Sequence, residues 1–110
     1  MITFNLTLED MPSKDKKLSN IAKVENFKSS KSGQPIANQF IIALQNGIEV
    51  FQSYNSIIAV KANGKTYLDE NRWNYSRTTS RYRNQFLNET TVETVKKIGF
   101  GNYAMVDLNK

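Results

Sequence analysis

Neither cysteine nor histidine occurs in this 110-residue chain. The first absence removes disulfides, thiolate metal sites and thiol nucleophiles together. The second removes the commonest general base and the commonest transition-metal ligand. No apolar run approaches the roughly 18 residues that span a bilayer. The first residues show no charged region followed by an apolar stretch, so no leader is expected. Phosphate cradles are lacking too, because Ser32-Gly33 and Gly99-Phe100-Gly101 have neither P-loop nor dinucleotide-binding spacing. These absences predict a cytoplasmic, non-membrane protein without cofactor or metal, and they argue against catalysis.

The carboxylates point the same way. Asp69-Glu70, with Glu49 and Lys65, is the nearest approach to the two or three acids and a lysine that a metal-dependent nuclease gathers around Mg²⁺. The usual spacing is missing, since Glu49 is followed by Val50 and Phe51. A nuclease is therefore the remote alternative.

At this length one domain with one core is expected over 1–110. The apolar fraction is 39% and the mean hydropathy −0.53, which suggests a thin core or a sizeable polar segment. Fifteen basic against ten acidic residues give a net charge of +5. That balance is compatible with a polyanionic partner without specifying one.

Arginine is absent everywhere except one window. Arg72, Arg77, Arg81 and Arg83 all fall within RWNYSRTTSRYR (72–83), interleaved with Trp73, Tyr75 and Tyr82, and no acidic residue occurs from Asn71 through Asn88. Arginine offers a planar five-donor fork and a face that stacks on aromatics or bases, which lysine does not reproduce. The candidate binding residues are Arg72, Trp73, Tyr75, Arg77, Arg81 and Arg83, with Trp73 or Tyr75 as the stacking platform. Arg77 and Arg81, four apart, share a helical face if the helix starts early enough. Arg83 points elsewhere and also suits a structural ion pair. Tyr82 and Phe86, at helical spacing, are expected in the core. The blander reading of the arginines pairs them with Asp69, Glu70 or Glu89.

Residues 2–8 alternate strictly and predict a half-buried strand. Residues 12–34 are rich in lysine and serine. IAKVENF (21–27) predicts a short strand there, and the lysines, Lys31 among them, form either a phosphate-contacting arm or a solvated connection. From Ile36 the chain reads as a β-meander. Strands over 36–45, 48–53, 57–62 and 65–69 are joined at Asn46-Gly47, Ser53–Ser56 and Asn63-Gly64, with type I′ geometry expected at Asn46-Gly47. Tight turns make these four antiparallel, with Phe40, Ile42, Val50, Ile58 and Val60 buried. Tyr75, Thr79, Tyr82 and Phe86 predict a helix from Thr78 or Thr79. Thr90-x-x-Glu93 is a capping box opening a second helix with Val92, Val95 and Ile98 inward, and Gly99 as its left-handed stop. Residues 102–108 close as a strand. The expected fold is α+β: an antiparallel meander sheet of five to seven strands, with one or two short C-terminal helices packed on one face.

FQSYNSIIA (51–59), GKTYLDE (64–70), WNYSRTTSRYRNQFL (73–87) and YAMVDLN (103–109) resemble a small uncharacterised domain of phage and plasmid proteins from Gram-positive bacteria. The common version of that domain carries Gly after the Leu87 position, where this chain has Asn88-Glu89. The resemblance implies a mobile-element setting and brings no activity with it. Small proteins of such elements are often regulators or inhibitors of host machinery, anti-CRISPR inhibitors of RNA-guided nucleases included.

Two classes of function are therefore expected. One is a non-enzymatic protein acting on a host nucleoprotein, in which the Arg/aromatic window is an interface hot spot. The other is a sequence-tolerant module for single-stranded nucleic acid. The direct partner, a host protein or its RNA or DNA component, stays open at this point.

Overall fold

The computed structural model describes residues 21–110, so the strand expected over 2–8 lies outside the described residues, as do the lysines before Ile21. Six strands form one sheet in chain order: β1 (Ile21–Lys28), β2 (Pro35–Leu44), β3 (Glu49–Ser53), β4 (Ser56–Ala62), β5 (Lys65–Asp69) and β6 (Tyr103–Val106). Between β5 and β6 come two helices, α1 (Arg77–Leu87) and α2 (Thr91–Gly99). β1 through β5 pair antiparallel. β6 runs parallel to β5, Thr66 opposite Tyr103 and Leu68 opposite Met105. The fold is α+β as expected, but the sheet is mixed. The helical crossover carries the chain back to the same end of the sheet, which is how parallel neighbours are connected.

The two Asn-Gly turns differ. At Asn63 (φ 53°) and Gly64 (φ 78°) both residues are left-handed, the type I′ requirement, and Ala62 faces Lys65. At Asn46-Gly47 only Gly47 is left-handed (φ 87°). The Gly47 N–H donates to the Leu44 carbonyl at 3.1 Å, and Leu44 N–H to the Ile48 carbonyl at 2.8 Å. This is a three-residue loop ending in a left-handed residue, not the expected type I′ turn. Its consequence is to swing Ile48 into the core.

Successive residues of a strand point to opposite faces, and both faces are apolar. On the helical face Phe27, Phe51, Ile58, Ala59 and Leu68 meet Tyr82 and Phe86, with Trp73, Leu87, Ile98, Tyr103 and Met105 at the margins. The other face gathers Leu44, Ile48, Val50, Ile57, Val60, Ala62 and Leu108. β4, the strand serving both, is buried at Ile57, Ile58, Ala59 and Val60 in succession. Of the expected core residues Val50, Ile58 and Val60 are buried, whereas Phe40 and Ile42 are only half-buried.

α1 begins at Arg77, one or two residues earlier than the expected Thr78 or Thr79. The Ser76 hydroxyl caps it by accepting the Thr79 N–H at 3.1 Å. It ends at Asn88, whose φ of 56° is left-handed. Asparagine is the usual substitute for glycine at such a cap, so the Asn88-Glu89 departure keeps the helix stop.

α2 carries the expected capping box, with Thr90 Oγ1 accepting the Glu93 N–H and Glu93 Oε1 accepting the Thr90 N–H. Its orientation is not the expected one. Val92 and Val95 are 64% and 52% exposed, and the buried residue is Thr94. The inward side is polar because Glu89 sits there, accepting from Thr94 Oγ1 (2.6 Å), Lys97 Nζ (2.7 Å) and Tyr103 Oη (2.7 Å). Only Ile98 packs inward as expected. Gly99 is the last helical residue, and the left-handed stop falls at Gly101 (φ 77°).

Candidate binding surface

The segment joining β5 to α1 is set by Asp69. Its side chain is fully buried, and its carboxylate is occupied by backbone. Oδ2 accepts the N–H of Arg72 at 2.8 Å and of Asn71 at 3.2 Å, while Oδ1 accepts that of Leu108 at 2.8 Å. An aspartate bonding backbone two and three residues ahead forms a local turn. This one also pins the C-terminal segment. Glu70 is exposed, and Glu49 lies opposite Lys61. Among the described residues no three acidic side chains converge.

The six candidate residues separate into three groups. Arg72 is part-exposed and its Nη1 stands 3.8 Å from Asp69 Oδ2, so one of the bland pairings is present. Trp73 packs against the helix-side core and carries the Arg83 guanidinium 5.0 Å from its ring centroid. That occupies the ring expected as a free stacking platform.

Arg83 is fully buried, and its place in the surface set is corrected. Nη1 donates to the Trp73 carbonyl at 2.6 Å and to Asn74 Oδ1 at 3.0 Å. Nη2 donates to Asn84 Oδ1 at 2.8 Å and to Thr91 Oγ1 at 2.9 Å. The expected ion pair does not form among the described residues, where each hydrogen-bond partner is a neutral oxygen. Burial pushes the guanidinium pKa down, and the charge of Glu89 acts in the opposite direction. One side chain thus ties the 73–74 loop, α1 and the start of α2 together.

What remains outward is Tyr75, Arg77 and Arg81. Tyr75 is 50% exposed just before the helix cap. Arg77 and Arg81 are exposed one turn apart on α1, and neither makes an ion pair among the described residues. Tyr82 and Phe86, the expected core pair, are buried.

Sequence reasoning missed the neighbour of Arg81. The β1–β2 turn comes against α1 and leaves a cleft of about 380 Å³ lined by Ser29, Ser30, Lys31, Arg81, Tyr82 and Gln85. Its two walls are coupled underneath by Phe27 and Tyr82, whose ring centroids lie 5.4 Å apart. Lys31 had a signal, as one of many lysines in a polar stretch. Its meeting with Arg81, fifty residues on, depends on tertiary packing and had none.

A mixed sheet with helices on one face, and an arginine pair on the outer side of the first helix, defines a small α+β protein with a basic surface. The chain belongs to the family of unknown function DUF8033, which matches residues 22–102. No curated protein and no solved structure matches it. No described helix is long and apolar enough to cross a membrane.

Proposed function

We propose that this is a non-catalytic binding protein that engages the single-stranded RNA or DNA of a host nucleoprotein through the outer face of α1. The observation that supports it is the pair Arg77 and Arg81. Both are exposed, one helical turn apart, and the stretch from Asn71 through Asn88 contains no acid. Unpaired arginines on a rigid helix are suited to phosphate oxygens, which accept their fork in bidentate geometry. Tyr75 beside them adds a ring on which a base stacks. In the mobile-element setting that the resemblance implies, the host target would be an RNA-guided nuclease, inhibited through its nucleic acid.

Titration of labelled single-stranded RNA and DNA against the protein, monitored by fluorescence anisotropy, tests this. Binding at low salt that is lost in the Arg77→Ala/Arg81→Ala double variant is expected. No binding, together with a stable complex with a host protein after nuclease treatment, would instead assign the arginines to a protein interface.

A further inference from the structure

We propose that the cleft between the β1–β2 turn and α1 is a phosphate-binding subsite, which seats one backbone phosphate of a bound single strand. The inference rests on the nucleic-acid reading above and adds a specific place to it. The polar groups around the cleft are donors. Lys31 and Arg81 bring full positive charge, Gln85 an amide, and Ser29 and Ser30 hydroxyls, and among the described residues no carboxylate lines it. Lys31, Arg81 and Gln85 are exposed, and none of their side chains is engaged in a hydrogen bond or ion pair among the described residues.

Ser29 lines the cleft with its hydroxyl held in the turn. Its oxygen accepts the N–H of Lys31 at 3.2 Å and of Ser32 at 3.3 Å. With both lone pairs directed into the turn, the hydroxyl proton is the group left to offer. The turn itself is closed by Ser29 N–H to the Gln34 carbonyl (2.8 Å) and Gly33 N–H to the Ser29 carbonyl (2.9 Å). Gly33, at φ 73°, supplies the left-handed residue the turn needs. Lys31 therefore projects from a fixed base, and the Phe27–Tyr82 contact holds that base against Arg81. The closed turn removes the backbone part of the ordering cost, and the Lys31 and Arg81 side chains are ordered on binding.

A cleft of about 380 Å³ is at the small end of ligand sites, which run to about 1,000 Å³. It has room for one phosphate with its sugar. Arg77 lies one turn from Arg81 towards the helix start, outside the cleft lining. A strand anchored at Arg81 would run along α1 towards Arg77 and Tyr75.

The test is a ¹⁵N-resolved NMR titration of the full chain with a dinucleoside monophosphate, which has a single internal phosphate, and with its uncharged methylphosphonate analogue. The expected result is shifts at the amides of Ser29–Ser32, Arg81 and Gln85 with the phosphate and none with the analogue. Lys31→Gln and Arg81→Gln should each weaken binding by about tenfold or more, as the loss of a charge-assisted contact implies. Lys96→Ala, in the last turn of α2 and outside the cleft lining, should leave the dinucleotide unaffected. Equal binding of the uncharged analogue, shifts confined to other surfaces, or no shifts at all would overturn the subsite. The two levels of the argument fail differently. Long strands that bind through Arg77 while ignoring Lys31→Gln and Arg81→Gln would remove the subsite and keep the function. A dinucleotide that seats in the cleft while longer strands bind no better would keep a phosphate site and remove the strand-binding function.

Discussion

Arg83 and Trp73 are joined twice: the guanidinium stands 5.0 Å from the indole ring centroid, and its Nη1 donates to the Trp73 carbonyl at 2.6 Å. Each contact favours the same geometry. The charged face sits on the ring quadrupole while the fork satisfies a carbonyl that the loop would otherwise leave unpaired. Nη1 also reaches Asn74, and Nη2 reaches Asn84 and Thr91, so the two terminal nitrogens use the planar fork in several directions at once, while the buried Nε has no hydrogen-bond partner among the described residues.

Arg83→Lys should therefore destabilise the protein by about 3 kcal/mol although it keeps the charge, because an ammonium cannot span acceptors on both sides of a guanidinium plane. Urea unfolding followed by tryptophan fluorescence would measure it. An unchanged midpoint would mean that the cluster contributes little to folding.

The surface arginines should behave in the opposite way. Arg77→Ala and Arg81→Ala remove exposed side chains and should shift stability by no more than about 0.5 kcal/mol. Phe86→Ala, which empties a site packed against Phe51, should cost about 3–5 kcal/mol. Comparable losses in all three would show Arg77 and Arg81 to be structural, and the binding proposal would lose its basis.

Gln39 carries a buried amide that has no hydrogen-bond partner on either Nε2 or Oε1 among the described residues. Its cross-strand partner Ser53 is committed to Thr79 at 2.9 Å. Removing an unsatisfied buried polar group in favour of an apolar one of similar shape is neutral or stabilising. Gln39→Met should raise stability by about 1 kcal/mol, the lower part of the range for such a group. A loss of that size in urea unfolding would reveal a bonding role for the amide.

Stability should also fall in acid, and Glu89 is a principal cause. Burial pushes its carboxyl pKa up, but the hydrogen bonds from Lys97, Thr94 and Tyr103 outweigh that and hold it below the ordinary 4.5. A carboxyl depressed in the folded state stabilises the protein above its unfolded value, and the contribution is lost as pH falls through the folded one. The difference between Glu89→Gln and the parent should be full at pH 7 and shrink steadily once the pH passes below 4.5. Unfolding midpoints for both proteins across that range would check it, and a constant gap would contradict the assignment.

What was legible in the sequence was what short-range chemistry decides. Asn63-Gly64 forms the expected turn because both residues tolerate positive φ, and the capping box at Thr90 and Glu93 closes within four residues. Asn46-Gly47 shows the limit, because the same dipeptide yields a longer loop once Ile48 has a core to enter. The outward valines of α2 escaped for a related reason. Apolar periodicity identifies a helix face, but Glu89 with its three donors gives the polar side more to gain by turning inward. Arg83 was grouped with the other arginines because composition alone does not reveal that Trp73, Asn74 and Thr91 surround it. The parallel pairing of β6 likewise depends on a crossover whose path only the packed helices define.

Removing Arg83 from the surface changes the electrostatics expected of binding. With Arg72 beside Asp69, the outward cations of the proposed site are Arg77, Arg81 and Lys31. Single-stranded nucleic acid releases about 0.7 counterion per neutralised phosphate, so three contacts predict a slope of log K against log salt of roughly −2. Arg77→Ala/Arg81→Ala should flatten that slope by about 1.4, two contacts' worth. Tyr75→Ala should weaken binding by about 1–3 kcal/mol if a base stacks on it, and leave the slope where it was, because stacking displaces no counterions. Trp73→Ala should act through stability instead, since its ring already carries Arg83. Anisotropy titrations of one oligonucleotide at several salt concentrations would separate these effects. A slope that the double substitution leaves unmoved would place the phosphate contacts elsewhere on the molecule and end the assignment of this face.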